Sequence, residues 1–110
     1  MEGARIKVLI ADLFSAAAKA ELEKEFDVKY DDKLNGETLK SALSEFKPEI
    51  LVVRGTKVTG EMMETDPHLA YVVRAGQGFD TIEFNWAAQH GIYVANCPGI
   101  LDLLLRNNII

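Results

Sequence analysis

Apolar positions along this chain change period repeatedly, and the changes set out an alternation of strands and helices. Ile6-Lys-Val-Leu-Ile-Ala11 is a short, nearly continuous apolar run rich in branched residues, the pattern of a strand buried on both faces. Ser15 can cap a helix in which Ala18, Leu22 and Phe26 recur on one face. Asp27-Val-Lys-Tyr30 reads as a weaker, edge-type strand. After Asn35-Gly36 a second helix presents Leu39, Ala42, Leu43 and Phe46 together, and Pro48 stops it. Glu49-Ile-Leu-Val-Val53 is the clearest strand, suited to a central place. Thr59 to Glu64 predicts a short helix closed before Pro67, and Leu69-Ala-Tyr-Val-Val73 another strand. Asp80 opens a third strong helix, with Glu83 completing a capping box and Gly91 just past its end. Ile92-Tyr-Val-Ala95 supplies the fifth strand.

Strands that alternate with helices predict an α/β domain with a parallel sheet and right-handed crossovers. The economical arrangement is flavodoxin-like: five strands in the order 2-1-3-4-5, helices on both faces, and Val8, Leu9, Leu51, Val52, Val53, Val72 and Val94 in the core. Ligands of such sheets sit outside the carboxyl ends of the strands, near the switch in strand order. The loops of interest are therefore Asp12–Ser15, Arg54–Thr59, Arg74–Asp80 and Asn96–Gly99.

Composition narrows the partners. At 110 residues, 48% hydrophobic and 26% charged, the chain can form one self-sufficient core. A net charge of −5 argues against bulk attraction to nucleic acid or an anionic membrane. No apolar run approaches the ~20 residues of a membrane span, and Cys97 has no partner for an internal disulfide, so the cytoplasm is the expected location.

Two loops carry the chemistry. Arg74-Ala-Gly76-Gln77-Gly78-Phe-Asp80 lets backbone approach a ligand closely and aims N–H groups at an anion before a helix start. It is Gly-x-Gly only, too little for a dinucleotide fingerprint. Arg54-Gly55-Thr56-Lys57 follows the central strand. If the third and fourth strands are neighbours, Arg54, Lys57 and Arg74 converge on one rim as an oxyanion site. His68 and His90 read as ordinary surface histidines, and Cys97 as a packing thiol with no activating base.

The stretches Val8-Leu-Ile-Ala-Asp12, Leu51-Val-Val-Arg-Gly-Thr-Lys-Val-Thr59, Val73-Arg-Ala-Gly-Gln-Gly-Phe-Asp80 and Gly91-Ile-Tyr-Val-Ala-Asn-Cys-Pro-Gly99 resemble the N-terminal part of D-isomer-specific 2-hydroxyacid dehydrogenases, the phosphoglycerate dehydrogenase branch most closely. The resemblance implies an NAD-dependent oxidation of 3-phosphoglycerate in serine biosynthesis as the parent reaction. It implies that Gly76, Gln77 and Gly78 hold the substrate carboxylate, and that Arg54, Gly55, Lys57 and Arg74 surround a phosphorylated substrate. Three departures stand out: a single Gly55 where the family has a serine and one further residue, Gln77 for a small apolar residue, and Thr81 for asparagine.

Residues 1–99 are thus expected to form a substrate-binding domain. Residues 100–110 read as a divergent apolar tail in place of the hinge, so that the chain stops short of the cofactor domain. On that expectation the chain binds no cofactor, has no catalytic residues of its own and binds a small phosphorylated or carboxylated acid weakly. A response-regulator receiver is excluded because Asp12 lacks a second acid beside it and the third strand ends at Arg54. A flavodoxin is disfavoured because Leu13-Phe-Ser-Ala has one hydroxyl. An interaction protein that self-associates through Leu101, Leu103, Leu104 and Leu105 stays open.

Overall fold

The computed structural model describes residues 5–12, 16–74 and 82–96. Nine elements follow one another: β1 (Lys7–Ile10), α1 (Ala16–Glu23), β2 (Asp27–Tyr30), α2 (Glu37–Phe46), β3 (Ile50–Val53), α3 (Gly60–Glu64), β4 (Tyr71–Arg74), α4 (Phe84–Gln89) and β5 (Tyr93–Asn96). All four pairings are parallel, and the order is β2-β1-β3-β4-β5, as the apolar pattern predicts.

The continuous apolar runs are explained by burial on both faces. Val8 and Ile10 of β1, Ile50 and Val52 of β3 and Val73 of β4 pack with Leu22 and Phe26 on the α1 side. The intervening Leu9, Leu51, Val53 and Val72 pack with Leu39 and Leu43 of α2, Met62 and Met63 of α3 and Ala87 of α4. Side chains alternate across a strand, so a central strand needs apolar residues at every position, and β3 is fully buried along its length. Of the expected core, only Val94 is partly exposed, as suits a strand at the end of the sheet.

Local chemistry moves some boundaries. The Asp66 carboxylate accepts the His68 N–H at 2.9 Å, and the Leu69 N–H donates to the Asp66 carbonyl at 3.2 Å. This turn keeps Leu69 out of β4, which begins at Tyr71 instead. The capping box expected from Asp80 and Glu83 is not what Glu83 makes. Its carboxylate accepts the Gly60 N–H, at the start of α3, at 2.6 Å. Ile82 bridges to Val58 in extended conformation, so α4 starts only at Phe84; Asp80 lies outside the described residues. Pro48 ends α2 as expected, after a left-handed Lys47 with φ 53° whose N–H donates to Leu43.

Gly60 has a second duty. A Cβ there would lie 2.6 Å from two atoms of the Trp86 indole, so α3 meets α4 only because this residue has no side chain. Gly60→Ala should therefore destabilise the fold by about 1–3 kcal/mol. Urea unfolding followed by Trp86 fluorescence reads this directly, and an unchanged midpoint would show that the ring moves aside freely.

Candidate functional site

The carboxyl ends of the strands form one rim, and its organising contact runs from β1 to the loop after β3. Asp12, two residues beyond β1, points one carboxylate oxygen into that loop. Its Oδ2 accepts the N–H groups of Arg54, Gly55 and Thr56 at 2.9, 3.0 and 3.0 Å, and the Thr56 hydroxyl at 2.7 Å. Consecutive N–H groups turned toward one point are an anion nest, and here the anion is a side chain of the same protein. Half-burial alone would raise the Asp12 pKa. The Arg54 N–H, the Thr56 hydroxyl and the N–H groups of Gly55 and Thr56 outweigh it and hold the carboxyl below its ordinary range.

The bonds decide what the loop can offer a ligand. The Gly55 N–H is committed to Asp12, so Gly55 acts as the bend of the loop. The side chains of Arg54 and Lys57 are exposed. β3 and β4 are neighbours with Val53 opposite Arg74, so Arg54 and Arg74 leave the sheet on the same rim, as the expected oxyanion site requires. Gly76, Gln77 and Gly78 lie outside the described residues, as do Thr81, Cys97 and the tail.

A cleft of about 470 Å³ opens beside this loop, lined by Asp12, Asn35, Gly36, Gly55, Thr56, Lys57 and Met62. The amino end of α2 borders it. Gly36 sits there at φ 59° with no side chain capping the helix, and the partial positive charge of that end favours an anion. Thus Lys57 and α2 attract negative charge, while the Asp12 carboxylate is neutralised in part by its four donors. Periodicity pointed to the β3 loop but missed Asp12 as its anchor, and missed Asn35 and Gly36 as neighbours. The available signal was an acid just after the first strand together with Gly-Thr after the third.

His68 and His90 fall away from this rim. His68 precedes β4, and His90 follows α4, where its ring stacks on Trp86 with centroids 3.7 Å apart and its Nδ1 lies 2.8 Å from the Trp86 carbonyl. Among the described residues, no group of three His, Cys, Asp or Glu side chains is arranged to hold a metal ion. No described helix is long and apolar enough to cross a membrane.

Comparison with known proteins gives the family. Residues 8–103 match the family described as D-isomer specific 2-hydroxyacid dehydrogenase, catalytic domain. D-3-phosphoglycerate dehydrogenase of Archaeoglobus fulgidus is 35% identical over 96 residues, which are 86% of this chain and 18% of that protein. A crystal structure from Pyrococcus horikoshii OT3 is 29% identical with a TM-score of 0.78, over 89% of this chain and 29% of that one. The NAD+-bound 3-phosphoglycerate dehydrogenase of Entamoeba histolytica shares the fold at 22% identity and a TM-score of 0.72, over 84% of this chain and 33% of that one. The chain spans about a fifth of the curated relative's length.

The Asp12 contact carries a prediction. Its stabilisation is complete above the ordinary carboxylate range and fades as pH falls through the depressed native value, because protonation abolishes the charge that four donors favour. Asp12→Ala should lose about 1–3 kcal/mol at neutral pH and flatten the acid limb of the stability profile. Urea midpoints measured from neutral to pH about 3 test this; parallel acid limbs would mean that Asp12 does not hold the loop.

Proposed function

Because this chain belongs to the D-isomer specific 2-hydroxyacid dehydrogenase family through its catalytic domain, we propose that it binds the acid substrate of a phosphoglycerate dehydrogenase-type reaction. The observation that carries this reading is the shared rim of Arg54, Lys57 and Arg74 beside the loop held by Asp12. Arg54 and Arg74 supply planar guanidinium donors and Lys57 a mobile charge, a combination suited to a phosphate and a carboxylate on one small molecule. Gly76–Gly78 take the substrate carboxylate, the role that the family resemblance implies for them. The protein works in the cytoplasm.

NAD supplies hydride transfer in this family, and the residues described here do not fit it. A pyrophosphate needs open glycine backbone at a helix start. The Gly55 N–H faces Asp12, and Gly60 is covered by the Trp86 ring with its N–H on Glu83. The proposal therefore assigns the described residues of this rim acid binding. The binding is weak, because an open rim leaves its charges screened.

A second reading has one observation in its favour. Phe84 and Tyr93, on α4 and the end strand β5, are about half exposed. An apolar margin there, together with Leu101, Leu103, Leu104 and Leu105, suits self-association of an interaction protein.

Titration with 3-phosphoglycerate, followed by amide NMR, should shift Gly55, Thr56, Lys57 and Gly76–Gly78 with a dissociation constant near the millimolar range, about 4 kcal/mol. Addition of NAD should give no absorbance change at 340 nm. Absence of shifts, with a dimer that dissociates when the chain ends at Gly99, would replace acid binding by the interaction reading. Turnover abolished by Arg54→Ala would overturn the assignment of binding alone.

A further inference from the structure

The opposite rim, at the amino ends of the strands, gathers positive charge in a chain whose net charge is −5. Arg5, Lys7, Lys47, Glu49 and His68 line a recess of about 240 Å³ there. Lys7 begins β1, Lys47 and Glu49 precede β3, and His68 precedes β4, so the recess is separated from the Asp12 loop by the length of the sheet.

Each of its cations is anchored on a neutral acceptor. Arg5 Nη2 donates to the Glu23 carbonyl at 2.8 Å, Lys7 Nζ to the Phe46 carbonyl at 3.3 Å, and Lys47 Nζ to the Ser44 carbonyl at 2.6 Å. The ion pairs among the described residues are Lys19–Glu23, Lys24–Glu21 and Lys40–Glu61, so among the described residues none of the three recess cations has a carboxylate within 4.0 Å. Carbonyls fix a cation in place without cancelling its charge, and each side chain keeps further donors for a ligand. The carboxyl ends of α1 and α2 return roughly half a negative charge each, and Glu49 one more. Three cations face these charges, together with the buried carboxyl of Asp66, which lies within electrostatic reach of Lys47 and His68.

Lys47 strengthens the case. It occupies the left-handed position after α2, at φ 53°, where glycine or asparagine is the usual residue. Backbone geometry does not ask for lysine there, and its presence delivers an ammonium to the recess. Asp66 is the nearest buried acid. It is 3% exposed, and burial raises its pKa, opposed by the His68 N–H and by the charges of His68 and Lys47.

We propose that this recess binds a small, doubly charged oxyanion, the phosphate group of a free metabolite, through Arg5, Lys7 and Lys47. One guanidinium fork and two ammonium groups match a tetrahedral anion with several acceptor oxygens. The site is separate from the acid-binding rim, and a molecule bound here does not compete with one bound beside Arg54.

Amide NMR of the full chain with inorganic phosphate, at constant ionic strength maintained with chloride, tests this. Saturable millimolar shifts are expected at Lys7, Lys47, Glu49 and His68. Lys47→Gly is the decisive variant, because glycine suits φ 53° and the fold should survive; phosphate affinity at the recess should fall about tenfold. Lys57→Gln should leave it unchanged. Identical shifts with chloride alone, shifts confined to Gly55–Lys57, or undiminished affinity in Lys47→Gly would each overturn the proposal. Sedimentation with phosphatidic acid vesicles in the absence of any shift by free phosphate would also overturn it, in favour of a membrane surface.

Discussion

One carboxylate ties the two halves of this sheet together where the strand order reverses. β1 has β2 on one side and β3 on the other, so the chain must cross back after β2 and leave a crevice at the carboxyl ends. Asp12 closes the floor of that crevice. Its four donors come from three successive residues after β3, about forty positions away in the chain. The loop after β3 is thereby given one shape, and Arg54 and Lys57 are exposed on the rim where β4 ends at Arg74.

The same contact limits what kind of site this is. A nest of backbone N–H groups is the usual seat for a phosphate, yet here it is filled from within. A ligand on this rim meets side chains on the β3 side and the amino end of α2.

Much of the fold was legible in the sequence because every strand of the core follows the pleat. Val8, Leu9 and Ile10, like Ile50 through Val53, are apolar at each position, which only a sheet covered on both faces requires. The strand order follows from handedness and short connections. Boundaries were less legible, since they depend on tertiary partners. Glu83 looks like a capping residue for its own helix, but its carboxylate serves Gly60 of another. Leu69 looks like strand, but the Asp66 turn holds it back. In the candidate site, charge at strand ends marked Arg54, Lys57 and Arg74, whereas the role of Asp12 depends on a partner far along the chain and has no local signature.

A crystal structure of the protein grown with 3-phosphoglycerate tests the central claim most directly. The account predicts the acid on the carboxyl rim, its phosphate contacted by Arg54, Lys57 or Arg74, and the Asp12 carboxylate still held by the Arg54, Gly55 and Thr56 N–H groups. An acid seated in the nest with Asp12 displaced, or bound away from this rim altogether, would contradict it.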